Sequence, residues 1–354
     1  MISNHAVQQI LLAEAAVLAL TVVAVLGHGA WMAWRRRSDP PRLARAQQTL
    51  AALLDERPDQ PVPADDLLRL PRRLRRQVLT DLSRSLRGRH RERIGQLATM
   101  LGVAGQAGRW ARSRWWWRRL RGAHLLTQLA VDDPIVVRLL DDRHPAVRCQ
   151  AILWAGDHAD TILAERLMSL LTDTSALCRY TAVDALLRAG PALPPRLVEH
   201  LANGRDPSLP TLLEIAAARP DHRYLPAALR LSGSRRAGIR MRAARLLGTV
   251  GGDAATDRLT RLLDDTEAAV REAAAVSLGS LRHWPAASHV ARLLRDPAWD
   301  VRRASGEALL AFGAPGRLLL RRHAHDEDRF AADMAQRILH TAELRPAEAL
   351  PEAR

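Results

Sequence analysis

Apolar residues follow two patterns along the chain, one continuous and one periodic. From residue 10 to residue 34 they form an almost unbroken run, interrupted only by Glu14, Thr21 and His28. A helix rising about 1.5 Å per residue over that length covers a hydrocarbon core of about 30 Å, so the run predicts one transmembrane helix. Residues 1–9 contain no Arg, whereas Arg35, Arg36, Arg37, Arg42 and Arg45 follow the run at once, beside Trp31 and Trp34 at the position of an interfacial aromatic belt. This one-sided charge places the N-terminus outside and the bulk of the chain in the cytoplasm, the topology of a single-pass protein of a bacterial inner membrane. A cleaved signal peptide would carry its basic residues before the apolar core and a small-residue cleavage site after it, and neither is present.

Beyond residue 34 the apolar positions recur at steps of three and four. In the juxtamembrane segment 35–90, Leu67, Leu70, Leu74, Val78, Leu82 and Leu86 form one such stripe, with Arg69, Arg72, Arg73, Arg75, Arg76, Arg84 and Arg87 between them. The stripe predicts a basic amphipathic helix. Near a bilayer, each basic residue gains about 1 kcal/mol from anionic headgroups, which makes Arg35, Arg36, Arg37, Arg72, Arg73, Arg75 and Arg76 the candidate lipid contacts. Further on, GRWARSRWWWRRLRG (108–122) sets Trp110, Trp115, Trp116 and Trp117 among six arginines. Three readings fit it: contact with anionic lipid, packing against the first helices that follow, and nucleic-acid binding, for which the chain offers composition but no known motif.

From about residue 91 to 343, and most clearly over 124–343, the pattern repeats every 31 residues: a helix, an Asp-containing turn, and a second helix that opens with an aliphatic residue and Arg. The best copies read LLDDRHPAVRCQAILWAG (139–156), LLTDTSALCRYTAVDALL (170–187), LLDDTEAAVREAAAVSLG (262–279) and LLRDPAWDVRRASGEALL (293–310). LSGSRRAGIRMRAARLLG (231–248) keeps the second helix without the acidic turn, the copy at 194–223 is degenerate, and that at 317–343 reads as a cap. Segments 91–103 and 114–129 have the spacing of a zeroth repeat. With Val147, Cys178, Ile239, Val270 and Val301 as position zero, position four is always small: Ala151, Ala182, Ala243, Ala274 and Ser305. Position one is always Arg (Arg148, Arg179, Arg240, Arg271, Arg302), and the turn residues Asp142, Asp173, Asp265 and Asp296 are its expected partners. Period-two alternation is missing, so the fold class is all-α.

These copies resemble the HEAT repeat, in the variety also found in bilin lyase subunits of phycobilisome assembly. The resemblance implies an α-solenoid whose second helices line a concave side, preceded here by the transmembrane helix and followed by a tail at 344–354. On a helical wheel, positions 0, 3, 4, 7 and 8 share one face and positions 2, 5, 6 and 9 point the opposite way. Positions 2 and 6 then project into the groove, which makes Tyr180, Asp184, Met241, Arg245, Glu272, Val276, Arg303 and Glu307 the candidate protein-binding residues. One aromatic, one Met and both signs of charge suit a protein partner better than phosphate.

Composition adds two constraints. All 53 basic residues are Arg, which codon bias in a GC-rich genome explains, but their distribution is informative: net +14 over 35–124 against +2 over 125–354. A repeat region so close to neutrality makes nucleic acid an unlikely partner for it. Cys149 and Cys178 sit in apolar helical patterns and read as buried reduced thiols, too few for a disulfide framework.

Catalytic motifs are absent: no nucleophile elbow, phosphate-cradling Gly loop or HExxH occurs, and HEAT-type iron hydroxylases carry His-Glu dipeptides that this chain lacks. His323, His325, Asp326, Glu327 and Asp328 fall in a turn where polar residues belong, so we assign no metal site, cofactor or small-molecule substrate. The expected function is a membrane-tethered, non-enzymatic scaffold that holds a cytoplasmic protein, or the cytoplasmic face of a membrane protein. The alternatives are a bilin-lyase-like enzyme or chaperone subunit, implied only by the resemblance, and a nucleic-acid-binding HEAT protein.

Overall fold

The computed structural model describes residues 44, 46–48, 50, 65–84, 89–203 and 207–344, and every regular element among them is helical. The anchor expected at 10–34, the neighbouring Arg35, Arg36 and Arg37, and the tail from 345 onward lie outside the described residues. Among the described residues no helix is long and apolar enough to cross a membrane. The chain forms two compact units that divide between Ala151 and Ile152.

In the first unit the helices are α1 (Asp65–Leu68), α2 (Arg72–Ser83), α3 (Arg89–Met100), α4 (Val103–Ala111), α5 (Trp116–Gln128) and the short α6 (Ile135–Arg138). The continuous basic helix expected from Leu67 to Leu86 is interrupted between α1 and α2. Pro71, extended at φ −56° and ψ 142°, has no N–H to donate and keeps Leu70 out of helical geometry. Its apolar stripe is Leu74, Val78 and Leu79 rather than Leu82, which is half-exposed. The helix expected over 91–103 likewise stops at Met100, because Gly102 adopts φ +70° and α4 starts afresh at Val103. At the crossing of α4 and α5, a Cβ on Gly122 would stand 2.6 Å from the Ala107 carbonyl and nearer still to the Ala111 amide, so only Gly allows that approach.

Helix α7 (Pro145–Asp157) runs across the division. The second unit continues as pairs. First helices are α8 (Thr161–Ser169), α10 (Leu193–Asn203), α12 (Leu225–Leu231), α14 (Asp253–Leu262), α16 (Ala287–Arg292) and α18 (Ala314–His323). Second helices are α9 (Ala176–Arg188), α11 (Leu209–Ala218), α13 (Ala237–Val250), α15 (Ala268–Ser280), α17 (Trp299–Ala311) and α19 (Arg329–Leu344). Each second helix packs on the next second helix, while α8 packs on α10, α10 on α12 and α16 on α18. Nearest-neighbour packing of this kind fits an α-solenoid.

The expected register holds where the helices meet. Position zero (Cys178, Ile239, Val270, Val301) and position four (Ala182, Ala243, Ala274, Ser305) are all buried, and both cysteines are buried and outside any disulfide. Ala331 and Ala335 carry the same register into α19. Positions 5 and 9 depart from the wheel: Ala244, Ala275 and Gly306 at position 5, and Gly279 at position 9, are buried. The reason is lateral. A second helix is flanked by other second helices as well as backed by its own first helix, so burial covers more than one face.

Between the helices of a pair the sequence specifies the turn closely. The first helix ends in a 3-10 turn that buries two leucines (Leu170 and Leu171, Leu293 and Leu294), and an extended Asp follows. That Asp side chain accepts the amide two residues on: Asp173 from Ser175 (2.7 Å), Asp265 from Glu267 (3.0 Å) and Asp296 from Ala298 (2.9 Å). The position-one Arg closes the same turn by donating Nη1 to the carbonyl six residues back, in Arg179, Arg240, Arg271 and Arg302 at 2.7–3.0 Å. Its remaining donors reach forward into the next repeat: Arg240 pairs with Asp265 (2.7 and 2.7 Å) and Arg271 with Asp296 (2.7 and 2.9 Å). These are bidentate, largely buried pairs. Burial alone would push Asp265 up, but the bonds from Arg240 and the Glu267 amide outweigh it and leave its carboxyl below the ordinary value.

The first unit contains the same device. Arg119 donates to the Ser113 and Arg114 carbonyls and, at 2.5 and 2.7 Å, to Asp142, whose side chain accepts the His144 amide. The sequence pattern missed it because position zero there is Arg118, an exposed residue in place of an aliphatic one.

The last turn has a consequence for acid stability. Asp326 accepts the Asp328 amide (2.9 Å) and Arg295 Nη2 (2.9 Å) and shares a hydrogen bond with His323 Nδ1 (2.6 Å). Burial pushes its carboxyl up, yet the donors prevail and hold it at about 2. A depressed carboxyl contributes stability that is complete above its unfolded pKa of about 4 and is lost as pH falls toward the folded value. The melting temperature of the wild type is therefore expected to fall between about pH 4 and pH 2 more steeply than that of Asp326→Asn. Identical slopes in thermal scans across that window would contradict the assignment. The His323 ring and the Asp326 carboxylate are thereby hydrogen-bonded within the turn.

Tyr224, in the 3-10 turn before α12, is fully buried with no hydrogen-bond partner for its hydroxyl among the described residues, and burial pushes that hydroxyl up to about 12. An unsatisfied buried hydroxyl costs on the order of 1–3 kcal/mol, so Tyr224 is a weak point in the core at the start of the α12–α13 pair.

Candidate functional site

Close packing of the second helices depends on position 9. A Cβ on Gly156 would stand 2.8 Å from Ala185 Cα, on Gly248 2.5 Å from Ser277 Cβ, and on Gly279 2.9 Å from Ala308 Cα. Each of those partners occupies position 7 of the next second helix, so a Gly at one position and a small residue at the other let neighbouring backbones touch. Position 9 is Leu instead of Gly in α9 (Leu187) and in α17 (Leu310).

Where α9 meets α11 the helices part, and an open groove of about 390 Å³ lies between them. Tyr180, Val183, Leu187, Ile215 and Ala218 supply its apolar wall, and Arg179 and Glu214 its charges. Both charges are partly committed: Arg179 to the Asp173 carbonyl (2.8 Å) and Glu214 to Arg242 (2.8 Å). Tyr180 is 74% exposed, a large amphipathic ring standing free of the core. The turn after α10, residues 204–206, lies outside the described residues.

All eight residues predicted at positions 2 and 6 are exposed or half-exposed. The structure joins some of them. Glu272, Arg303 and Glu307 form one charged line across α15 and α17, at 3.6 and 2.9 Å, with the Arg303 guanidinium 5.6 Å from the Trp299 ring centre. Asp184 pairs with Arg188 at 3.2 Å, and Arg188 also binds Asp157. Tyr180, Arg245 and Val276 remain outward-facing, and Met241 is half-buried. The sequence reading overlooked Leu177 and Trp299, which are 62% and 47% exposed just before position zero. Apolar residues at the first turn of otherwise amphipathic helices are the signal that would have found them.

Of the basic candidates, Arg72 and Arg73 are exposed on α2. Arg75 and Arg76 are half-buried within the unit. Arg75 donates to the Leu101 carbonyl (2.8 Å), and the Arg76 guanidinium lies 5.3 Å from the Trp110 ring centre. Burial, then the charges of Arg121 and Arg73, push Arg76 below the usual guanidinium value.

Comparison with known proteins bears on the repeats directly. The HEAT-repeat family matches residues 226–311, from α12 to the end of α17, the stretch that holds Gly248 and Gly279. These residues are HEAT repeats. The groove at Tyr180 lies upstream of them, between α9 and α11. No curated protein matches the chain. Among solved structures, similar ones include human deoxyhypusine hydroxylase in complex with glycerol (23% identity, 71% of this chain and 100% of that one, TM-score 0.30). YibA of Escherichia coli (18%, 67% and 96%, 0.37) and the CpcE–CpcF complex of phycocyanin lyase from Nostoc sp. (16%, 67% and 94%, 0.32) are others. At these identities and scores, the likeness carries no argument about activity or partner.

Proposed function

We propose that this HEAT-repeat protein is a non-enzymatic scaffold, tethered to the bacterial inner membrane by the apolar run at 10–34, that holds a protein partner at the cytoplasmic face. The observation that carries the reading is the groove between α9 and α11. There α9 carries Leu187 in place of the glycine of α7, α13 and α15, and Tyr180 stands beside an apolar wall. An exposed aromatic at the edge of an apolar concavity is the usual anchor of a protein interface, with nearby Arg as a second one. Arg245, exposed at position 6 two helices on, is that second anchor. The tether raises the local concentration of whatever the groove holds relative to other proteins of the same membrane.

Affinity capture of the full chain from detergent-solubilised membranes tests this. Tyr180→Ala and Arg245→Ala are each expected to weaken binding of the captured partner about thirtyfold or more, the effect of a hot spot of at least about 2 kcal/mol. Because both side chains are exposed, their melting temperatures are expected to match the wild type. Full recovery by both variants, with loss on changing exposed residues of the first helices, would contradict the assignment of this face.

A further inference from the structure

The corner between α4 and α5 exposes three consecutive tryptophans: Trp115 at 47%, Trp116 at 43% and Trp117 at 46%. Tryptophan side chains are highly buried on average, so three together at the start of one helix form an unusual apolar surface. None is bare. The Arg114 guanidinium lies 4.8 Å from the Trp115 ring centre and that of Arg118 5.0 Å from Trp117, while Trp116 stacks on His144 at 3.9 Å and 3° between planes. Nearby, the Arg121 guanidinium lies 4.6 Å from the Trp110 ring centre.

Charge at this corner is unbalanced. Two acids of this unit are already taken, Asp133 by Arg112 (3.2 Å) and Asp142 by Arg119. Among the described residues no carboxylate pairs with Arg114, Arg118 or Arg121. Indole rings prefer the headgroup level of a bilayer, where an apolar body and a polar N–H are both satisfied, and arginines beside them face phosphate.

We propose that Trp115, Trp116 and Trp117 form a membrane-interface contact, with the indoles at headgroup level of an anionic leaflet and Arg114, Arg118 and Arg121 facing lipid phosphate. The inference rests on the tether proposed above, which keeps this corner near the bilayer. It moves the lipid contact from Arg75 and Arg76, whose side chains are engaged inside the unit, to the start of α5.

The test uses the full chain reconstituted into phosphatidylcholine vesicles with brominated acyl chains, with and without phosphatidylglycerol, and reads quenching of tryptophan fluorescence. Quenching is expected to be greater in the anionic vesicles, and the increment to vanish at high salt, where the Debye length falls from about 10 Å to about 3 Å. It is also expected to vanish in the W115F/W116F/W117F variant, which removes the reporting rings, and in R114Q/R118Q/R121Q, which keeps them. An increment that survives in either variant, or none in the wild type, overturns the contact. So does displacement of the corner from lipid by a single-stranded oligonucleotide, the outcome a nucleic-acid site predicts. A carbonate wash separates the two proposals: a chain that leaves the vesicles contradicts the tether, whereas one that stays without extra quenching contradicts only the contact.

Discussion

Replacing Asp296 by Ala is expected to destabilise the protein by about 3–5 kcal/mol, the range for removing one partner of a buried ion pair. Asp296 has three tasks at once. Its oxygens receive Arg271 Nε and Nη2 at 2.7 and 2.9 Å, and Oδ1 also accepts the Ala298 amide at 2.9 Å, at the start of α17. Both partners are well shielded, with 4% of the Asp side chain and 13% of the Arg side chain exposed, so water cannot replace the lost carboxylate. Arg271→Ala is expected to cost a similar amount, and the double variant much less than the sum, because each single change leaves a buried charge unpaired. Urea denaturation of the four proteins measures this. A loss below about 1 kcal/mol for Asp296→Ala would place the pair with exposed surface bridges and remove it from the account of the repeat.

Gly248→Leu is expected to cost about 3 kcal/mol, the upper end of what overpacking a tight contact does. A Cβ there would sit 2.5 Å from both Cβ and Oγ of Ser277, and Ser277 cannot rotate away freely because its hydroxyl donates to the buried Ala244 carbonyl at 3.0 Å. A better helix former returns about 1 kcal/mol in propensity, which does not offset the collision. Gly105, on an exposed face of α4 with only the far end of Arg109 within reach, is the control: Gly105→Ala is expected to leave stability unchanged or raise it by about 1 kcal/mol. Equal melting temperatures for Gly248→Leu and wild type would mean that neighbouring second helices are not in contact at position 9.

The contrast between these two sites shows what the sequence makes legible. Position zero, position four, the turn Asp and the position-one Arg all lie within one helix–turn–helix unit, so a 31-residue period displays them. Contacts between units are less visible. The glycines at position 9 face the next second helix, and a wheel that assumes one buried face assigns them to solvent. Arg119 performs the position-one task in the first unit but follows Arg118 instead of an aliphatic residue, so pattern matching passed over it. Pro71 and Gly102 were present in the sequence as helix breakers, yet the apolar stripes on either side ran through them. For the candidate site, exposure of Tyr180 followed from its position on the wheel. The groove beside it did not, because it lies between two second helices, and the contact between them is not displayed by the period of either.

The claim that this face holds a partner is tested most directly by crosslinking in living cells. A photoreactive amino acid placed at Tyr180, in the groove wall, and separately at Leu318, which is 70% exposed on the first helix α18, samples the two helix sets without disturbing the core. The account predicts a discrete crosslinked species from position 180 that diminishes in the Arg245→Ala background, and none from position 318. A species formed from position 318 and absent from position 180 would contradict it.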